Sequence, residues 1–148
     1  MDLMGGISLI ARQMRLYAER QIGSGLDLGF PEMQVLMALS ANREVNQDFI
    51  AQFIGVDKGA VAKTLAKLEK RALISRRQNP GNKRENLVRL TENADPVLAR
   101  MGEIYRTWAD RAFENISEDE LKTFERVIET LCRNTSALLE RTSGKESR

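Results

Sequence analysis

NQDFIAQFIGVDKGAVAKTLAKLEKRALISRRQNPGNKRENLVRLT, residues 46–91, is the stretch whose order decides the fold. Two short amphipathic segments meet at Gly55-Val56-Asp57. Asp57 suits a helix N-cap, because its carboxylate accepts from the orphan amides of a first turn. Val61, Leu65 and Leu68 then recur at helical spacing and make one apolar stripe, while Lys58, Ala62, Lys63, Lys67 and Lys70 fall largely on other faces. On an isolated helix a lysine row is ordinary solvated surface. Here its surroundings change the reading.

Between Asp57 and Thr91 stand 10 Lys+Arg and 3 Asp+Glu, a local balance of +7, whereas the whole chain is only +2. Positive charge gathered in one unit, with an acidic remainder, is the footprint of phosphate contacts. The runs Ile74–Gln78 and Glu85–Leu90 are β-capable and flank Asn79-Pro80-Gly81-Asn82, which predicts a hairpin with a longer loop. Arg76, Arg77, Lys83, Arg84 and Arg89 make that hairpin basic. Helix, tight turn, helix and basic two-stranded loop form the plan of a winged helix-turn-helix, a DNA reader. The expected contacts are Lys58, Gly59, Ala62, Lys63 and Lys67 on the helix, with Arg76, Arg77, Lys83 and Arg84 on the wing. An arginine-bearing wing tip suits a narrow, A·T-rich minor groove.

Asn82-Lys83-Arg84, followed at the right spacing by Leu90-Thr91, resembles the Asp-x-Arg and Leu-Thr wing of the multiple-antibiotic-resistance regulator (MarR) family. The run Leu68-Glu69-Lys70-Arg71-Ala72-Leu73-Ile74 is similar as well. The resemblance extends along the whole chain, strong at the wing and weaker at both ends. Two departures stand out. Asn82 replaces the family's aspartate and leaves Arg84 without a charged partner in the motif. Gly59, Ala60 and Ala62 occupy positions that often carry hydroxyls, so base readout by this helix is thin, although Ala62 suits a thymine methyl. More weight then falls on phosphates, wing and DNA shape.

Outside the reader, residues 3–22 predict a helix whose Leu3, Ile7, Ile10, Met14 and Tyr17 form an apolar seam. Gly23, Gly25 and Gly29 miss the spacing of a dinucleotide loop by one residue and follow no strand, so 23–29 reads as a plain loop. Pro31 opens the next helix, packed through Val35, Leu36 and Leu39. Asn42–Val45 links it to a helix over 47–54, with Phe49, Ile50, Phe53 and Ile54 as its buried face. After the wing, Thr91 and Asp95-Pro96 compete as helix starts, which predicts an irregular first turn before a helix to about Glu114. Val97, Met101, Ile104 and Trp108 make one stripe of that helix, and Leu98 and Tyr105 a second. Ser117 and Glu120 match a capping box. Leu121, Phe124, Ile128, Leu131, Thr135 and Leu138 continue as a near-heptad seam, and residues 142–148 form a polar, frayed tail.

These readings give a mainly α fold with a small β wing, in one domain over 1–148. Residues 30–91 are the winged-helix region, and 3–22 and 95–141 are dimerisation helices. A chain of this size buries roughly 68–70% of its unfolded surface. No basic leader or membrane-length apolar run is evident, and the single Cys132 fits a reducing cytoplasm. The 148 residues include no histidine, which removes imidazole bases and histidine metal ligands. One cysteine builds no thiolate zinc site. An enzyme is not expected, nor a cofactor.

The terminal seams predict a homodimer, which sets two recognition helices roughly 34–36 Å apart on double-stranded DNA with a pseudo-palindromic operator. The resemblance implies the same assembly, a triangular dimer with intertwined terminal helices. It also implies a repressor that releases DNA on binding a small aromatic acid or phenol, in a cleft between dimerisation helices and reader. Met14, Tyr17, Met33, Met37 and Trp108 are the candidate lining residues, each with core packing as its competing role. Two other readings stand beside this one. One is a redox-responsive regulator acting through Cys132, weakened by that residue's place in a seam expected to be buried. The other is an interaction protein that pairs with another regulator and binds DNA weakly.

Overall fold

A computed structural model describes residues 2–42 and 44–143, with side-chain surroundings described up to residue 140. The elements run α1 (Leu3–Leu26), α2 (Phe30–Ser40), β1 (Val45–Asn46), α3 (Gln47–Ile54), α4 (Lys58–Lys70), β2 (Ile74–Asn79), β3 (Asn82–Leu90), a 3-10 turn (Glu92–Ala94), α5 (Asp95–Ala112) and α6 (Glu118–Ser143). The chain groups into two compact units, Met1–Ala109 and Asp110–Arg148.

In the first unit the core is built around α2. Met33, Val35, Leu36, Ala38 and Leu39 of this helix are buried. Ile50 and Ala51 of α3, Val61, Leu65 and Leu68 of α4, and Ala18 and Ile22 of α1 join the same cluster, as do Ile74, Val88, Met101 and Ile104. The stripe expected on α4 is therefore the one it buries. Helix ends follow their caps. Asp57 Oδ1 accepts from Ala60 N at 2.9 Å, and Asn46 Oδ1 accepts from Phe49 N at 2.8 Å. Gly55 closes α3 at φ 75°, a left-handed conformation that glycine adopts without steric cost. The irregular start expected before α5 is the 3-10 turn at Glu92–Ala94.

Several expectations are corrected. Helix α1 does not stop at residue 22 but continues through Gly23-Ser24-Gly25 to Leu26. Leu26 lies one turn beyond Ile22 and packs on the core. The helix's exposed end is satisfied from outside, because Arg71 donates to Asp27 O at 2.7 Å and to Leu26 O at 2.8 Å. Helix α2 starts at Phe30, one residue before Pro31. The link to α3 contains a strand: Val45 and Asn46 pair antiparallel with Val88 and Leu87, giving a three-stranded sheet in the order β1-β3-β2.

On α3, Phe49 and Phe53 are 37% and 56% exposed, so its buried face is Ile50 and Ala51, with Ile54 half-buried. Strand β1 and the Asn46 cap fix how this helix enters the fold, and that rotation turns both rings outward. The hairpin loop is shorter than expected. Asn79 pairs with Asn82 across a two-residue Pro80-Gly81 turn, and the irregularity sits between Gln78, which pairs with Asn86, and Asn79. The extra residues Lys83–Glu85 thus form a bulge on β3. Helix α5 ends at Ala112 rather than Glu114.

In α1, Leu3, Ile7 and Ile10 are exposed, but Tyr17 packs against the core, so the expected seam divides between solvent and the chain's own interior. In the second unit, Ser117 and Glu120 form the expected capping box: Ser117 N donates to Glu120 Oε2 at 2.9 Å and Glu120 N donates to Ser117 Oγ at 3.4 Å. On α6, Phe124, Val127, Leu131 and Leu138 are exposed. Cys132, expected inside a buried seam, is exposed too. Residues 144–148 of the expected tail lie outside the described residues. Among the described residues, no helix is long and apolar enough to cross a membrane.

Candidate nucleic-acid interface

Helix α4 and the β2–β3 wing carry the nine residues expected to meet DNA, and the structure sorts them by their partners. Four of the seven cations are already matched to carboxylates of the same chain. Lys58 Nζ lies 2.8 Å from Asp48 Oδ2, and Lys67 Nζ lies 3.1 Å from Glu32 Oε1. Arg76 donates through Nε and Nη2 to Glu69 Oε2. Arg77 grips Glu44 with two bonds, 2.8 and 2.6 Å. The Arg77 hydrogen bond holds the Glu44 carboxyl below the usual glutamate range, and Arg76 does the same to Glu69. Both guanidiniums are raised in turn by the same bonds.

These two arginines are therefore braces of the wing as well as charges on it. Arg76 ties β2 to α4, and Arg77 ties β2 to the segment before β1. Sequence reasoning missed their acids. Glu44 stands 33 residues from Arg77, and no local periodicity connects them. Glu69 was within reach of a spacing argument only if β2 was known to turn back along α4.

Among the described residues, Lys63, Lys83 and Arg84 form no ion pair. All three are exposed. The wing tip that carries two of them is pinned through its backbone. Asn79 Oδ1 accepts from Gly81 N at 3.0 Å, Asn82 Oδ1 accepts from Arg84 N at 3.2 Å, and Gln78 Nε2 donates to Lys83 O at 2.8 Å. Glu85 Oε2 takes Asn79 Nδ2 at 3.2 Å and Asn46 Nδ2 at 3.5 Å, which links the bulge to the start of α3. Asn82 thus orients the Arg84 main chain while leaving its guanidinium unneutralised. Gly59 is exposed and Ala62 half-buried near the start of α4, and neither adds a side-chain donor.

The candidate effector residues differ in their surroundings. Met33 is fully buried in the core and Met37 is 42% exposed on α2. Tyr17 packs against the core, and Trp108 is half-buried. Met14 lines a groove of about 640 Å³ walled by Ala11, Arg12, Arg15, Leu16, Phe30 and Tyr105. The Arg15 guanidinium lies 4.5 Å from the centre of the Phe30 ring, a cation–π contact. Burial pushes the Tyr105 phenol up, so it stays protonated and able to donate. Phe30 escaped the sequence reading and Tyr105 was read only as part of a packing stripe, because their wall forms only when the first turn of α2 meets α1 and α5.

Residues 30–86 match the MarR family. Among solved structures, a crystal structure of MarR is 29% identical, with 93% of this chain and 99% of that chain covered and a TM-score of 0.78. A MarR transcriptional regulator from Methanosarcina mazei Go1 is 22% identical over 92% of this chain and 97% of that one, with a TM-score of 0.83. The transcriptional regulator SlyA is 22% identical over 95% and 98%, at 0.75. The last two likenesses speak for the fold.

Proposed function

We propose that this chain, which carries a MarR-family winged-helix domain at residues 30–86, is a cytoplasmic homodimeric transcription regulator that represses by occupying its operator. The observation that carries the reading is the reader's charge arrangement. Lys63 on α4 and Lys83 and Arg84 on the wing lack carboxylate partners among the described residues. They project from elements held rigidly by caps, ion pairs and backbone pins. Helix α4 enters the major groove with Lys63 on a phosphate, Gly59 allowing close approach and Ala62 against a base. Lys58, Lys67, Arg76 and Arg77 add positive field near the backbone while bound to their own acids. Arg84 enters the flanking minor groove.

The exposed apolar residues of α1 and α6 support dimerisation, and a second copy covers them. The groove at Met14, Phe30 and Tyr105 suits a small aromatic acid or phenol: two rings and a thioether for an aromatic body, with Arg12 for a carboxylate, while Arg15 is held by Glu19 at 3.1 Å. Its occupation relieves repression. Cys132 is the only cysteine in the chain, so an oxidised form closes no disulfide within one chain; its exposure in the single chain leaves a redox-responsive regulator as the second reading.

Gel shifts with DNA selected by the protein from a random pool test the DNA reading. A retarded complex on selected DNA that survives excess random competitor is the expected result. Equal retardation of both overturns it and leaves the pairing of this chain with another regulator as the better account.

A further inference from the structure

The fold brings acids into a reader that is strongly basic in sequence. Residues 57–91 have a local balance of +7, and ion pairs add Glu32, Glu44 and Asp48 from outside that stretch, which lowers the balance to +4. Two of these carboxylates are fixed in place. Glu32 is only 8% exposed, and a glutamate is almost never this buried without a partner. Its Oε1 meets Lys67 Nζ at 3.1 Å. Its Oε2 folds back over the start of α2, so close that a Cβ at Gly29 would lie 2.6 Å from it. The helix N-terminus there favours a negative charge. Glu44 is held at both oxygens, by Arg77 Nε at 2.8 Å and Nη2 at 2.6 Å, the bidentate geometry that makes arginine–carboxylate pairs strong.

The two pairs join residues 35 and 33 positions apart, so neither is a by-product of helical spacing. The neutralisation is also selective. Among the described residues, no carboxylate pairs with Lys63, Lys83 or Arg84. An acid beside a cation has a definite effect on DNA binding. Affinity for DNA of any sequence comes from cations that displace counterions from phosphates. A cation already facing a carboxylate displaces fewer, because the acid it leaves takes up a counterion of its own. The Lys67 side chain is 72% exposed, but turning it to a phosphate strands Glu32 as a buried charge. Such pairs weaken the sequence-independent part of binding. They spare the part that depends on a docked helix and wing, which the same pairs hold in position.

We propose that Glu32 and Glu44 are specificity-determining residues, which hold Lys67 and Arg77 back from the phosphates of any sequence and so widen the gap between operator and random DNA. The proposal rests on the DNA-binding reading above.

The test compares the site selected from a random pool with random-sequence DNA of the same length, over a range of salt concentrations. On random DNA, wild type should show a slope of log K against log salt of magnitude about 3 for each reader in contact, from Lys63, Lys83 and Arg84, rather than about 6 from all seven expected cations. Glu32→Gln/Glu44→Gln should steepen that slope by about 2 per reader and tighten random binding on the order of tenfold, while the selected site gains less. Each single variant should give about half of the steepening, and circular dichroism checks that all fold. Glu103→Gln/Glu118→Gln removes the same charge from ion pairs of α5 and α6 and should bind as wild type does. A wild-type slope of about 6 per reader overturns the proposal whatever the variants do. So does a folded double variant that keeps the wild-type slope, or one that tightens equally on selected and random DNA. Loss of affinity on both with the slope unchanged also overturns it, and leaves the two acids as braces alone. Failure of wild type to prefer the selected site removes the DNA-binding reading itself.

Discussion

Arg84 is where the expected interface depends most on one side chain. Its amide is bound to Asn82 Oδ1 at 3.2 Å, so the backbone is set before DNA arrives and only the side chain remains to be ordered. Arg84→Ala should weaken operator binding by about 1–3 kcal/mol, the scale of one good specific contact. Arg84→Lys should recover part of this, since a strongly hydrated ammonium enters a narrow groove at greater cost. Titration on operators with A·T or G·C under the wing decides it, and identical binding by wild type and Arg84→Ala would remove the wing from the interface. Lys63 makes a separate comparison. Lys63→Ala should lower the slope of log K against log salt by about 1 if Lys63 neutralises one phosphate. Lys67→Ala should change the slope less, because Lys67 already sits 3.1 Å from Glu32. Equal slopes for the two variants would show that the ion pair does not screen Lys67. The basic residues were legible from composition. Their acids were not, because Glu32 and Glu44 reach the reader only through the tertiary fold.

At the scale of elements, turns and caps decide where the reader begins and ends. Gly55 has φ 75° with open space around its missing Cβ, so Gly55→Ala should cost about 1–2 kcal/mol from backbone strain alone. Ala72 is the converse. It holds φ 55° in the turn between α4 and β2, and its carbonyl accepts from Thr91 and Asn93. Relief of that strain outweighs the extra unfolded freedom of glycine, and Ala72→Gly should stabilise by up to about 1 kcal/mol. Chemical denaturation checks both signs; a stabilised Gly55→Ala or a destabilised Ala72→Gly would refute the strain account.

The wing's braces add a pH dependence. Glu44 and Glu69 are held below the usual carboxylate range in the folded chain, so the unfolded chain takes up protons first as acid is added. Their contribution is complete above the ordinary glutamate value of about 4.3 and is lost as pH falls through the depressed folded values. Thermal melts should therefore be flat in this term near neutrality and decline below about pH 4, with a shallower decline in Glu44→Gln/Glu69→Gln. An unchanged decline would assign the acid sensitivity to other groups. Helices with strong caps, such as α4 and α6, were readable from sequence. Strand β1 was not, since two residues carry no periodicity and only their pairing with β3 defines them. The continuation of α1 through Gly23 and Gly25 was hidden for a similar reason, because Arg71 supplies the partners for its final carbonyls from 44 and 45 residues away.

For the molecule as a whole, α6 carries a run of exposed apolar side chains. Phe124, Val127, Leu131 and Leu138 remain 47%, 44%, 36% and 59% exposed, an amount of apolar surface that single scattered residues do not explain. The seam itself was legible as a near-heptad repeat, whereas its exposure, and that of Cys132 among it, emerged only from the structure. If a second copy covers this face, Leu131→Asp places an unpaired charge in an interface from which water is excluded. The variant should sediment as monomer or unfold at micromolar concentration, where wild type sediments as dimer. Glu129→Gln, a neutralisation at an exposed position of the same helix, should leave the dimer intact. DNA affinity then links assembly to reading. Two half-sites held by one dimer bind with an effective concentration that separate monomers lack, so Leu131→Asp should lose operator binding far out of proportion to its distance in sequence from α4. A folded wild-type monomer at micromolar concentration, or a Leu131→Asp variant that dimerises and binds as wild type does, would show that this face meets something other than a second copy.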